Sequence, residues 1–559
     1  MSQERIRRVD GSLLRDPGPD GLITRGFLRG AGWSADMVRR GPVVGIANTW
    51  SELNPCHGGL RELAEHVRRG VLAAGGLPLE FPTISLAEAF VRPSSMYLRN
   101  LLAMDTEEMI LASPIDAVVL LGGCDKTLPA QIMGALSAGT PATCLAAGPR
   151  PVSRWDGAPM TVDGLWPLID RRRAGRLDDA AWSRLEGALS CGAGTCNVMG
   201  TAVSMAVVAE VLGMALPGTA LLPARSAQRA AAAEATGARA VALARAGTGP
   251  GEVVTERSLA NAFRALCAVG GSTNVLIHLQ AIAGRAGLRL AVDDLRKIAA
   301  STPLLADVKP SGAGLLEDLQ DDGGVPALMH ELAGLADLDL PAGDGRPWRE
   351  VATSGGSTRL RTLADPVGPA GALCLLSGSL APDGALLKRS AASERLCRHR
   401  GRALVFDGVD DLRARIDDPA LPVDGSTVLV LRGAGPLGGP GMPEVGHLPI
   451  PRKLLDQGVT DMVRISDARM SGTAEGTVVL HVAPESAAGG PLALVRDGDE
   501  IAIDADAGTL DLLVDPADLA ARPVVAPKPP PRRGYEHLWY HHVTQADQGC
   551  DFDFLAAPR

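Results

Sequence analysis

The sequence predicts an α/β protein with a large doubly wound parallel sheet in its N-terminal part and a smaller β-rich, barrel-like unit after it. Three observations carry this expectation. Short β-branched runs alternate with longer helical patterns through the first two-thirds of the chain, as when strands cross over through helices. After an irregular stretch, VATSGGSTRLRTLADPVGPAGA (351–372), the segments become short and β-rich and helical patterns become sparse. At 559 residues the chain also exceeds what one hydrophobic core supports, so two domains are expected, 1–372 and 373–559.

In chain order, PVVGIANTW (42–50) is an almost uninterrupted apolar run and predicts a buried strand. GLRELAEHVRRGVLAAG (59–75) has its apolar residues three and four apart and predicts an amphipathic helix. LEFPTIS (79–85) and DAVVLLGG (116–123) predict two further strands, and PAQIMGALSAG (129–139) a helix opened by proline. SCGAGTCNVMGTAVSMAVVAEVLG (190–213) is a glycine-rich loop running into a long apolar helix. In the second unit the expected strands lie in ALCLLSGSL, RALVFDGV, STVLVLRG, DMVRISDA, TVVLHVAP and LALVRDGDEIAIDA. PVVAPKPPPRRGY (523–535) predicts a proline-rich connector to a short closing segment. There is no internal repeat.

Several classes are excluded by bulk properties. A net charge of −9 with scattered basic residues argues against a nucleic-acid partner. No apolar run approaches the roughly 18 residues of a membrane span, and MSQERIRRVDGSLLRD lacks the apolar core of a secretory signal. A cytoplasmic protein is expected. Nine cysteines, an odd number, argue against a disulfide framework; Cys144, Cys267, Cys374 and Cys397 are expected as buried reduced thiols.

The chemistry-bearing residues sit in loops beside strand ends, where ligands of such sheets collect. LLGGCDKTLP (120–129) joins a soft ligand, Cys124, to a hard one, Asp125, and to Lys126, whose charge would repel a metal. Cys56 lies in another loop after a strand. Cys191 and Cys196, bracketed by glycines before a helix, are expected to have lowered pKa values; with four residues between them they equally suit half a zinc site. Glu88, Asp125 and Glu444 offer carboxylates suited to Mg²⁺, although any one alone is more commonly a solvated surface charge. The glycine-rich loop around Glu444, GAGPLGGPGMPEVG (433–446), suits either a flexible connector or a backbone cradle for an anion. Neither a phosphate-binding loop nor a dinucleotide fingerprint is present, which disfavours a nicotinamide-dependent oxidoreductase.

Together the stretches NPCHGGLRE, GGCDKTLPA, CGAGTCNVMGTA, GGSTNVLIHL, APDGALLKRSAAS, GPGMPEVG and ISDARMSGTAEGTVVLHVAPE, running in order over nearly the whole chain, resemble the dihydroxy-acid dehydratase/phosphogluconate dehydratase family. The resemblance implies a hydro-lyase that removes water from 2,3-dihydroxy acids to give 2-keto acids. It implies an iron–sulfur cluster on Cys56, Cys124 and Cys196, and Mg²⁺ held by Glu88, Asp125, Glu444 and Lys126, the lysine as a carbamate. It implies Ser471 as the base, with Thr473 beside it, and a homodimer or homotetramer. SDARMSGTA and the tail RRGYEHLWYHHVTQADQGCDFDFL resemble the sugar-acid branch, which implies pentonate or hexonate substrates such as arabinonate, xylonate or galactonate, and [2Fe-2S] in preference to [4Fe-4S]. A branched-chain dihydroxy-acid dehydratase and a non-catalytic iron–sulfur redox sensor are the alternatives. His57 stands where that resemblance leads one to expect asparagine, so altered substrate contacts are expected there.

Overall fold

A computed structural model describes residues 10–523 and 529–557. Four strands, β1 (Val43–Asn48), β2 (Leu77–Pro82), β3 (Ala117–Gly122) and β4 (Ala142–Ala146), form a parallel sheet in the order β2-β1-β3-β4. Register is set by β1, with Val43 opposite Leu77 and Val44 opposite Ala117. β1 and β3 are buried along their whole length, as their unbroken apolar runs predict.

Helices cover both faces. On one, Val44, Ile46, Val119 and Leu121 pack on Leu63 and Val67 of α1 (Leu60–Ala73) and on Ala233 and Ala240 of the helix Ala227–Ala246. On the other, Val118 and Leu120 belong to a larger core with Leu102 of α2 (Arg99–Leu111) and Leu128 of α3 (Thr127–Ala138). The alternation of strand and helix stops at Ala146. From Thr201 to Val351 the regular structure is almost wholly helical, broken by loops and one two-residue strand, Pro303–Leu304, and α4 (Thr201–Val211) is buried at every residue. The apolar helix expected after the 190–200 loop is α4; the strand–helix alternation expected to continue beyond it is replaced by helices that pack on one another.

The second unit is an eight-stranded sheet. Its strands are β5 (Cys374–Leu376), β6 (Gly384–Leu387), β7 (Arg398–Asp407), β8 (Val428–Arg432), β9 (Arg464–Ser466), β10 (Val478–Ala483), β11 (Glu500–Asp504) and β12 (Thr509–Leu512), in the order β12-β11-β7-β8-β9-β10-β6-β5. β7 to β10 run parallel and the flanking strands antiparallel. Ser377, just past β5, bridges to Thr509 of β12; its N–H donates to Gly508 O at 3.0 Å and its carbonyl accepts from Leu510 N–H at 3.0 Å. The two edges therefore meet and the sheet closes as the expected barrel. β6 and β12, four residues each, lie in segments not expected to be strands.

The proline-rich stretch 523–535 falls partly outside the described residues. Beyond it, Cys550 and Asp551 are sealed into the helical core. Arg99 Nη2 donates to the carbonyls of Gly549 (2.8 Å) and Cys550 (2.9 Å). Arg285, buried, forks onto Asp551 at 2.6 and 3.1 Å. Arg285 Nη1 also lies 3.4 Å from Glu107 Oε2, so Asp551→Ala removes the closer, forked partner of a buried charge and leaves the longer one, and it should destabilise the fold by up to about 3–5 kcal/mol. The urea midpoint measures this; the exposed Asp553→Ala should change it by less than about 1 kcal/mol.

Candidate active site

Five loops that follow the carboxyl ends of strands supply most of the site. Cys56 sits in a single helical turn, Pro55–His57, after β1. Glu88 follows β2, and Cys124, Asp125 and Lys126 fill the turn between β3 and α3. Glu444 lies in the loop after β8 and Ser471 in the loop after β9. Cys196 comes from the loop that leads into α4.

The three cysteine loops are pressed together. A Cβ on Gly58 would stand 2.9 Å from Ala193 Cβ, and one on Gly123 would stand 2.6 Å from Ala147 Cβ and 3.2 Å from Thr195 Cγ2. Only glycine permits these approaches. Thr195 is tied by its N–H to Gly148 O (2.8 Å) and by its carbonyl to Arg150 N–H (3.0 Å), which fixes the neighbouring Cys196 against the end of β4. The Cys56 thiol is hydrogen-bonded to Cys124, and this bond, burial and the charges of Cys124, Cys196 and Asp125 raise its pKa well above the ordinary thiol value. Cys196 is pushed up to about 12 by burial, with Asp125, Cys124 and Glu444 adding to the effect. This corrects the expected lowering: burial and neighbouring anions outweigh the helix N-terminus, which begins only at Thr201. Cys191 is exposed and stands apart, its Sγ 3.3 Å from Pro151 O. Among the described residues the cysteines are free thiols, with Cys144, Cys267 and Cys397 buried and Cys374 half-buried.

Next to the thiols is a buried charge cluster. Lys126 Nζ lies 3.1 Å from Glu88 Oε2, 3.1 Å from Glu444 Oε1 and 3.4 Å from Asp125 Oδ2. Burial and Arg469 work against its charge, but Glu444, Glu88 and Asp125 outweigh them and hold the ammonium form. Glu88 is held at about 2, because Lys126 and Arg469 overcome the opposing effect of its burial. Glu88 also accepts from Ser95 N–H (3.1 Å), Ser94 Oγ (3.1 Å) and the Ser95 hydroxyl. The ammonium sits where the carboxylates converge, and among the described residues no three His, Cys, Asp or Glu side chains close on one point as a metal shell would.

Residues that the loop patterns alone did not single out complete the cluster. Arg469, buried, donates to Glu444 Oε1 (2.9 Å), Ser94 Oγ (2.7 Å) and Met442 O (2.8 Å). Asn274 Nδ2 lies 3.1 Å from each of Glu444 Oε1, Thr201 Oγ1 and Met470 O, and so ties Glu444 to the residue before Ser471. The available signal was their place inside ARMSG and GGSTN. Ser471 Oγ is 2.8 Å from Thr473 Oγ1, and Thr473 N–H points at Ser471 Oγ from 3.4 Å. A Cβ on the intervening Gly472 would stand 2.8 Å from Thr201 N, so the Ser471 turn abuts the positive N-terminus of α4. The backbone cradle expected in 433–446 exists, and it holds the protein's own carboxylates. Gly433 and Ala434 N–H donate to Asp467 (3.2 and 3.0 Å), and Leu437 and Gly438 N–H donate to Glu485 (2.8 and 2.9 Å).

The donor set suits the two inorganic groups that the sequence implies. Cys124, buried, and Cys56 and Cys196, half-buried, lie together, and the neighbouring thiols and carboxylates oppose the ionisation of Cys56 and Cys196, an opposition that a cationic iron centre relieves. Three carboxylates around one cation offer the hard oxygen donors that Mg²⁺ takes.

His57 departs from expectation. It is fully buried, its Nε2 accepts from Cys124 N–H at 2.9 Å and its Nδ1 donates to Thr49 O at 2.9 Å. It braces the cysteine turn from behind instead of facing a substrate. Burial lowers its pKa from 6.5 to about 4, despite the bond to Thr49, so between those values the unfolded chain binds a proton that the folded chain does not. Its contribution to stability is therefore complete above about pH 6.5 and is lost as the pH falls toward 4. His57→Gln should take up about one proton fewer on unfolding near pH 5, flattening the slope of stability by about 1.4 kcal/mol per pH unit. Urea titrations from about pH 4.5 to 7 measure that slope; an unchanged slope would mean that His57 is not held neutral.

Comparison with known proteins agrees with this geometry. The N-terminal model of the dihydroxy-acid/6-phosphogluconate dehydratases matches residues 41–351 and the C-terminal model residues 358–550. The chain is 47% identical over 528 residues to 6-deoxy-6-sulfo-D-gluconate dehydratase of Pseudomonas putida, covering 92% of this chain and 91% of that protein. It is 46% identical over 555 residues to L-arabonate dehydratase of Azospirillum brasilense, covering 97% and 95%. It is 38% identical over 557 residues to dihydroxy-acid dehydratase 1 of Nocardia farcinica, covering 95% and 97%. The chain belongs to the dihydroxy-acid/6-phosphogluconate dehydratase family of hydro-lyases.

Proposed function

We propose that this enzyme removes water from a 2,3-dihydroxy sugar acid, a pentonate or hexonate, to give the 2-keto-3-deoxy acid. The observation that carries the proposal is the junction of a three-thiol pocket, a buried carboxylate cluster and a hydrogen-bonded Ser471–Thr473 pair. The choice of sugar acid is supported by the higher identity to the sulfogluconate and L-arabonate dehydratases (47% and 46%) than to dihydroxy-acid dehydratase 1 (38%). We assign residues 1–372 to the unit holding the cysteines and 373–559 to the unit bringing Glu444 and Ser471, in a cytoplasmic homodimer or homotetramer.

Cys56, Cys124 and Cys196 would hold the iron–sulfur cluster, [2Fe-2S] in preference to [4Fe-4S]. Glu88, Asp125 and Glu444 would hold Mg²⁺ with Lys126. For Lys126 to serve as a ligand its neutral amine must add to the carbon of CO₂ and release one proton, becoming a carbamate oxygen donor. When bound, the two groups supply Lewis acidity, for the departing C3 hydroxyl and for the substrate's carboxylate and C2 hydroxyl.

The chain's own residues do the rest. Arg469 and Asn274 anchor Glu444 so that its free oxygen keeps one direction. Ser471, as its alkoxide, takes the C2 proton as the C2–C3 double bond forms and the C3–O bond breaks; the proton then passes from Ser471 to the departing hydroxide, which leaves as water and restores the alkoxide, and the resulting enol becomes the 2-keto acid. A serine is a weak base, and its oxyanion is stabilised here by Thr473 Oγ1–H, by Thr473 N–H and by the N-terminus of α4.

Keto-acid release over a panel of pentonates and hexonates tests the substrate class; turnover of branched-chain dihydroxy acids alone would overturn it. Lys126→Arg keeps the charge but cannot form a carbamate. It should lower Mg²⁺ content and activity roughly 10–100-fold or more, by equilibrium dialysis and keto-acid assay. Normal metal content and turnover would make Lys126 a structural cation. Ser471→Ala should slow dehydration on the order of 10²–10⁴-fold and abolish exchange of C2 deuterium with solvent. Wild-type exchange in that variant would remove Ser471 as the base.

A further inference from the structure

The residue in best position to control the serine comes from the other unit of the chain. Trp166 opens the helix Leu165–Arg173. This helix belongs to a small outlying segment with its own core of Met160, Leu168, Leu177 and Leu185. The segment reaches over the barrel, where Arg173 donates to Ile450 O (3.2 Å) and Asp417 Oδ1 (2.7 Å). The Trp166 indole packs against the cluster of Met470, Ala474, Val478 and Leu480, which brackets Ser471 in sequence. It meets the His447 ring with centroids 5.4 Å apart. Its Nε1–H donates to Thr473 Oγ1 at 3.0 Å.

An indole N–H is a donor only, so the direction of this bond is fixed. It occupies one acceptor lone pair of Thr473 Oγ1 and polarises that hydroxyl, which becomes a stronger donor along the chain of bonds. The hydroxyl's neighbour 2.8 Å away is Ser471 Oγ, which after losing its proton has to be met by donors. Among the described residues, the donors meeting Ser471 Oγ are Thr473 Oγ1–H and Thr473 N–H.

On the basis of Ser471 as the base, we propose that Trp166 is a positioning residue for dehydration, acting through Thr473 to keep its hydroxyl donating to Ser471 Oγ. The indole N–H thus makes the serine's basicity depend on a segment outside the barrel that carries the serine. It acts on the proton-removal step and not on substrate affinity.

The test compares W166F, T473V and the double variant of the cluster-loaded enzyme. It reads kcat, KM and washout of C2 deuterium on whichever sugar acid the panel identifies. W166F should lower kcat and washout together by about three- to tenfold, the size of one neutral hydrogen bond, with KM changed less than about twofold. In the T473V background the same change should cost less than about 1.5-fold, because the bond it removes is already gone. If W166F folds poorly, 3-benzothienylalanine at position 166 keeps the bicyclic shape and deletes only the N–H, and the same outcomes apply. Equal losses with and without Thr473, or a raised KM with wild-type washout, would reduce Trp166 to packing and overturn the proposal. S471A measured alongside separates the two failures. Wild-type washout in S471A removes the base and the proposal with it. Lost washout in S471A beside normal washout in W166F removes the Trp166 proposal alone.

Discussion

A buried ammonium shared by three carboxylates is the constraint around which this molecule is organised. Lys126, fully buried, needs anions around it, and Glu88, Asp125 and Glu444, half-buried, need cations to be drawn together. Two of the carboxylates come from the parallel-sheet part and one from the barrel. Arg469, also from the barrel, contributes the second cation. The barrel pairs Arg469 with its own Glu444, whereas the parallel-sheet part sets two carboxylates against one ammonium; Lys126 reaching Glu444 and Arg469 reaching Ser94 tie the loops after β2 and β3 to the loops after β8 and β9. The thiol pocket inherits its location from the same turn, because Cys124, Asp125 and Lys126 are consecutive. A soft site and a hard site are thereby held next to each other by the covalent geometry of three residues.

Support behind the site is as specific as the site itself. His57 fixes the amide of Cys124, Asn274 joins Glu444 to the carbonyl before Ser471, and Ser94 links Glu88 to Arg469. These residues contribute direction. Their hydrogen bonds are short-range and buried, so small displacements are resisted strongly, as in any preorganised polar site.

Much of this was legible in the sequence, for identifiable reasons. Unbroken apolar runs such as AVVLLG read as buried strands because both of their faces are covered. The cysteines and acidic residues stood out because glycine-rich turns beside strand ends are where ligands collect. Arg469 and Asn274 were not legible as site residues from local pattern. Their partners lie 375 and 170 residues away in sequence, and nothing in the local pattern distinguishes an arginine that turns inward from one in solvent. His57 was misjudged for the same reason, since its neighbour Cys124 is 67 residues away. The short strands β6 and β12 escaped notice because four residues carry too little periodicity to register.

The closure of the barrel at Ser377 and Thr509 has a mechanical consequence. In a closed sheet the tilt and stagger of the strands are linked, so a strand cannot slide without displacing its neighbours around the ring. The loops bearing Glu444 and Ser471 are mounted on adjacent members of that ring, β8 and β9, and move as one body. Adjustment around the site then falls to the parts that touch the ring from outside. Among the described residues, the segment carrying Trp166 touches it through the indole's hydrogen bond and ring packing, the Arg173 guanidinium and the charge of Asp170 near Arg464. An enzyme built this way has a stiff half, on which Glu444 and Ser471 are mounted, and an outlying segment that can be altered without disturbing that mounting.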